Sequence, residues 1–313
     1  MNATARAPIL AETPVDHAKR FIPEQFTPLS YTQFYPRLSS DQRLRYNQLQ
    51  SLYFNEQIIF FETAIGGKIL EALLRSPLPP HLAQGLRQFL SEERRHTAMF
   101  RRLNERCAPQ FYSAADFYFI QPPPQWMAVL GWATRRPRLF PMFLWLMLLQ
   151  EERSLFYSKR FLIERESLDP HFVETHRVHM ADEVGHVRWD QELIDALWHR
   201  VHPFLRKMNA RLLAWMLAEF FSAPKRAQLR VIHQLALEFP ALRGDEPEMR
   251  RQLLALSNDA AYQNSLYSRE IVPRVFARFD ECPEFRGLEF FGYQPHPCPR
   301  SRPHPSLHPE VME

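Results

Sequence analysis

Two Glu-x-x-His pairs stand out in this sequence: Glu93 and His96 in SEERRH, and Glu183 and His186 in HMADEVGH. Residues three and four apart are neighbours on one face of an α-helix, so each pair sets a carboxylate beside an imidazole. His179 lies one turn before Glu183 on the same face. Buried between helices, such a face is costly unless something compensates its charge. Metal cations compensate it. Two cations held roughly 3.5–4 Å apart repel, and bridging carboxylates neutralise them. Imidazole completes each ligand set and leaves positions open for dioxygen.

Long helices must position these groups. The first runs from about Asp41, a candidate N-cap, to Leu74, with Pro77 as its stop. It offers Glu62, which shares a face with Ile58, Ile59, Ile65 and Ile69; the alternative inward acid is Glu56. The second repeats Leu82, Leu86, Phe89, Glu93, His96, Phe100 and Leu103 at four-three spacing. A crossover from Cys107 to Pro137 follows, with a short helix near Trp126. The third helix carries the doublet Glu151-Glu152 in LLQEERSLFY, and periodicity does not choose between the two. The fourth begins at Asp169-Pro170. Its stripe reads Phe172, His176, His179, Glu183, His186, Asp190, Leu193 and Leu197.

Four long helices with a long crossover between the second and third match a ferritin-like bundle. In that architecture two helices each give a Glu and two each give a Glu-x-x-His. The predicted fold class is therefore all-α: a ferritin-like four-helix bundle with a di-iron centre, plus additional C-terminal helices at about 204–222, 224–238 and 246–279. Residues 1–40 read as an extended arm and 41–280 as a single helical domain, its ligand bundle at about 41–200. Residues 293–313, rich in Pro and His, read as a disordered tail. Glu92 and Asp182 each precede a ligand Glu. Asp182 is a candidate to accept the outward imidazole proton of a histidine on a neighbouring helix, with Glu92 a weaker one.

Composition removes other classes. The chain has only 8 glycines against 27 prolines and lacks G-x-G-x-x-G and P-loop motifs, which argues against nucleotide-binding folds. Its three cysteines form no C-x-x-C pair, so a zinc ribbon or disulfide scaffold is not indicated. The net charge of +4 comes from scattered arginines, not a nucleic-acid patch. The longest apolar run, LFPMFLWLMLL at 139–149, is too short to span a bilayer. A cytoplasmic protein is expected, with neither a nucleic acid nor a membrane as partner.

FFETAIG, SEERRH, LLQEERSLFY and above all HMADEVGH resemble the AurF family of non-haem di-iron oxygenases, the p-aminobenzoate N-oxygenases. Its members resemble ferritins in fold and carry a third histidine, as His-x-x-x-Glu-x-x-His. The resemblance implies Glu62, Glu93, His96, Glu152, His179, Glu183 and His186 as metal ligands, with Glu152 favoured over Glu151. It also implies two Fe ions, O2 as co-substrate, an external electron donor such as a reductase, and N-oxygenation of an amine or arylamine. The substrate is free or carrier-tethered, and a homodimer is compatible with the pattern. Phe89, Phe100 and Phe156 are candidate walls of an apolar substrate pocket. The alternatives are a di-iron C–H hydroxylase or desaturase, and a non-catalytic iron-binding helical protein.

Overall fold

A capping box opens the first long helix, α1 (Ser40–Phe60). The Ser39 hydroxyl accepts from Gln42 N–H, and the Gln42 side chain accepts from Ser39 N–H. The cap is thus Ser39 and not Asp41, whose charge instead complements the N-terminal dipole from the first turn. The computed structural model describes residues 13–221, 226–288 and 293–295. The disordered tail expected at 293–313 therefore lies almost wholly outside the described residues.

The helix expected to run unbroken to Leu74 is interrupted. Phe61–Gly66 form a π-helical segment before α2 (Gly67–Leu74) resumes the regular winding. Gly67 N–H bonds the Glu62 carbonyl across the widened turn. A Cβ at Gly67 would stand 2.7 Å from that oxygen, so a side chain there would collide with the backbone. Such single-turn bulges occur frequently at functional sites, and this one carries Glu62.

Next come α3 (Pro80–Cys107), the short α4 (Pro109–Tyr112), α5 (Pro124–Thr134) and α6 (Met142–Ile163). The fourth long helix, α7 (Pro170–Leu197), starts where the sequence places it, and Asp169 caps it by accepting from the N–H groups of His171 and Phe172. Beyond lie α8 (Pro203–Phe220), α9 (Arg226–Glu238), α10 (Glu246–Ala255), α11 (Ala260–Leu266) and α12 (Pro273–Glu281). Among the described residues there is no β-strand, only a bridge between Arg20 and Leu168. The architecture is the all-helical, ferritin-like bundle.

The arm is not extended where it is described. It turns through short 3-10 elements, and Phe21, Ile22, Leu29 and Phe34 are buried in the core. Asn47 Oδ1 accepts from the N–H groups of both Phe21 and Ile22, and Phe21 stacks on Phe172. The apolar side chains of this Pro-rich stretch gain more from burial than the extended chain gains from freedom.

Two apolar cores bracket a polar layer. Along α1 and α2 the order is Leu52, Glu62, Ile69; along α3 it is Leu86, Glu93, His96, Leu103. Along α6 it is Leu148, Glu151, Phe161, and along α7 it is Phe172, Glu183, His186, Ile194. Burying each apolar side chain contributes about 1.5–3 kcal/mol, so the bundle tolerates an expensive middle.

Candidate metal centre

Glu62, Glu93, His96, Glu151, His179, Glu183 and His186 converge in that middle, all buried. Glu93, His96, Glu183 and His186 offer ligand atoms within 4.8 Å of one another, and Glu62, His96 and His179 form a second such group. His186 Nδ1 lies 3.2 Å from Glu93, 3.5 Å from Glu183 and 3.9 Å from Glu151. His96 Nδ1 lies 3.6 Å from Glu183 and 3.7 Å from Glu93. His179 Nε2 is 2.8 Å from Glu183 and 3.4 Å from Glu62. Glu183 thus sits between both groups.

Helix three supplies Glu151, not the expected Glu152. Glu152 turns away and accepts from the N–H groups of Arg274 and Val275, the open N-terminus of α12. Adjacent helical residues point about 100° apart, so one acid serves the cluster while the other caps a helix that packs on α6. Glu56, the alternative to Glu62, is spent elsewhere. It accepts from the Tyr112 hydroxyl and the N–H groups of Tyr118, Phe119 and Ile120, pinning the crossover.

Each imidazole is fixed from behind. His96 Nε2 meets Asp182 at 2.9 Å, and His186 Nε2 meets Glu92 at 3.0 Å. His179 Nδ1 lies 3.3 Å from Ser154 Oγ, and Thr97 donates to Glu62 Oε2 at 2.8 Å. With the outer nitrogens tied to carboxylates, Nδ1 of His96 and His186 faces the cluster as the free acceptor. Ser154 and Thr97 escaped the sequence reading, because a small hydroxyl on an otherwise regular helix carries no spacing signal.

The electrostatics match a site built for cations. Burial and the Glu93 charge push Glu62 up to about 7, and burial with the Glu183 charge raises Glu151 well above the carboxylate range. Burial would raise Glu183 too, but His179 and His186 hold it well below its ordinary value. Burial opposes charging His179, yet Glu183 and Glu62 push it up to about 10.

Glu62 Oε1, Glu183 Oε2, His96 Nδ1 and His186 Nδ1 are buried and make no hydrogen bond. Buried polar atoms are normally satisfied. Four carboxylates and three imidazoles with inward lone pairs fit two divalent cations in charge and in donor type.

The family model for the p-aminobenzoate N-oxygenase AurF matches residues 7–253. The chain belongs to the AurF family. No curated protein matches it. The matched span includes α3 and α7, the helices that carry the two Glu-x-x-His pairs.

A cavity of about 80 Å³ opens beside the cluster, touching Glu62, Glu93, Glu151 and His179. Its apolar wall is Phe54, Ile58, Phe61 and Phe221. The phenylalanines singled out in the sequence do other work. Phe89 stacks on His186 with centroids 3.9 Å apart, Phe100 sets its edge to His179 at 5.1 Å, and Phe156 lies against a different hollow near Ile271. His176 touches the cavity but stacks on Phe161 at 3.7 Å, and burial pushes its pKa well below normal, leaving it neutral. No helix among the described residues is long and apolar enough to cross a membrane.

Proposed function

We propose that the chain is a di-iron oxygenase that oxidises the nitrogen of a small amine or arylamine, with Glu62, Glu93, His96, Glu151, His179, Glu183 and His186 as the ligands. The observation that carries the reading is an apolar cavity abutting a buried set of four carboxylates and three inward-facing imidazoles. The irons, when bound, supply the activation of dioxygen. In balance, an amine, O2, two electrons from an external donor and two protons give a hydroxylamine and water.

The protein's own groups do the rest. Glu93, Glu151 and Glu183 come from three helices and would neutralise the charge of bound cations. Asp182 and Glu92 keep His96 and His186 in the tautomer whose Nδ1 lone pair points inward. Phe54, Ile58, Phe61 and Phe221 exclude water and hold an aromatic ring against the Glu62 and His179 side.

The test is turnover. Protein reconstituted with ferrous iron, a chemical reductant, O2 and p-aminobenzoate should yield the hydroxylamino, nitroso or nitro product by mass spectrometry. A panel of arylamines should give product from at least one member. Bound iron with no oxygen uptake in the presence of every amine would leave a structural metal site instead.

A further inference from the structure

Half of the chain's six tryptophans stand about half exposed on α5 and α8: Trp126 and Trp132 on the first, Trp215 on the second. Tryptophan is normally among the best-covered side chains. The two helices meet there. The Trp126 and Trp215 rings each lie beside Phe220, with centroids 5.9 Å and 5.7 Å away. Asn209 of α8 donates to the Leu139 carbonyl and accepts from Met142 N–H, just beyond α5.

α5 (PQWMAVLGWAT) has no charged residue and packs inward on α2 and the π-helical turn. Its outer stripe is Trp126, Val129 and Trp132. On α8, Phe204, Met208, Arg211 and Trp215 recur at four-three-four spacing, all exposed, so they form one outer stripe. Around these stripes the charge is of one sign. No Asp or Glu occurs in 117–150 or in 196–218. Arg135, Arg136 and Arg138 follow α5, Lys207 and Arg211 lie on α8, and all five are exposed. Arg136 lies over the Trp132 ring at 4.7 Å. None of the five forms an ion pair with a carboxylate among the described residues; on α8 the partly buried Arg206 does, with Glu284 at 2.9 Å.

We propose that α5 and α8 dock the protein peripherally on an anionic lipid surface. Half-exposed tryptophans sit at the headgroup level, and the surrounding cations meet lipid phosphates. A second copy fits the face poorly, because a two-fold contact sets the same patch against itself and these cations against each other. A protein partner asks for about one hydrogen bond per 100–200 Å², whereas between the cations both stripes offer apolar side chains alone. Lipid asks for none. The expectation of no membrane partner rested on scattered charge and the lack of a spanning run. The face escapes both signals, since two helices far apart in sequence assemble it and neither is long and apolar enough to cross a bilayer. Phe220 lines the hollow that adjoins the metal-side cavity, and Phe221 lines both, so docking would bring that hollow close to the lipid. Nothing in the proposal depends on which reaction the metals perform.

Vesicle flotation tests this on the full chain. Vesicles of phosphatidylglycerol and phosphatidylcholine in equal parts should carry the protein at low salt, and pure phosphatidylcholine vesicles should carry far less. Lys207→Gln combined with Arg211→Gln should weaken binding roughly thirtyfold, about fivefold for each cation. Trp126→Ser combined with Trp215→Ser should weaken it too and remove most of the blue shift in tryptophan emission. Should the serine variant fail to fold, quenching of the native protein's emission by brominated lipid reads the same contact, with Trp145 and Trp198 buried out of reach. No binding to anionic vesicles, equal binding to neutral ones, or unchanged binding in both double variants would overturn the proposal. So would a dimer in sedimentation velocity that the serine variant dissolves, which assigns the face to a second copy. Polyglutamate displacing the vesicles at equal charge would assign it to an acidic protein instead.

Discussion

His96 on α3 is tied through Nε2 to Asp182 on α7, 2.9 Å away, and α7 returns the arrangement by tying its own His186 to Glu92 on α3. Each Glu-x-x-His helix therefore supplies the acid that orients the other helix's histidine. Arg95 adds a second donor to Asp182. Partial burial would raise the Asp182 carboxyl, but its bonds from His96 and Arg95 hold it below the ordinary value, so it is an ionised acceptor. The reciprocity locks the relative rotation of two helices at the level where their ligands meet.

Removing either outer acid should loosen the metals without unfolding the bundle. Asp182→Asn and Glu92→Gln each remove the charge behind one imidazole, and iron affinity should fall about 10–100-fold. Competition with a chelator measures it, and circular dichroism should show an unchanged helical signal.

The two glutamates of helix three should separate cleanly. Glu151→Gln should lower iron content while leaving the metal-free protein at least as stable, since a buried acid beside Glu183 is replaced by a neutral amide. Glu152→Gln should keep its iron but lose about 1 kcal/mol of stability, as the charge capping α12 is removed. Metal analysis beside thermal melts of both variants decides the assignment.

Much of this was legible in the sequence. The α3 stripe from Leu82 to Leu103 is buried throughout, because four-three spacing records which face of a helix meets the core. The Glu-x-x-His pairs, His179 and the helix start at Asp169-Pro170 were equally readable, since each depends on residues within one or two turns. What escaped depends on distant partners. Glu151 and Glu152 have the same local pattern, and the choice is made by α12, more than a hundred residues later. The same holds for the burial of the arm against Asn47, and for the cavity wall of Phe54, Phe61 and Phe221 in place of Phe89, Phe100 and Phe156.

The π-helical turn is a further case, where a regular helix was the natural expectation. Gly67→Ala should destabilise the protein by about 1–3 kcal/mol, the range for forcing a methyl into a filled space. Its Cβ would press on the Glu62 carbonyl, so iron affinity should fall with stability. Chemical denaturation and iron titration on one preparation read both effects. Loss of stability with unchanged affinity would show that the turn shapes the helix but not the site.

Glu56 should behave as a structural acid. Glu56→Gln replaces a carboxylate that accepts from three backbone N–H groups and the Tyr112 hydroxyl. A cost of roughly 1–3 kcal/mol is expected, the range for leaving buried donors poorly matched. Iron content should not change. Hydrogen exchange should localise the loosening to residues 112–120.

The proposed function requires that one buried cluster bind a pair of metals. Anaerobic titration with ferrous iron, followed by metal analysis of the desalted protein, tests it on the native chain and on Glu183→Gln, the carboxylate that lies against His186 and His96 of one ligand group and against His179 of the other. About two irons per chain are expected in the native protein, with loss of both together in the variant. Zero or one iron in the native chain, or full iron content without the Glu183 carboxylate, would contradict it.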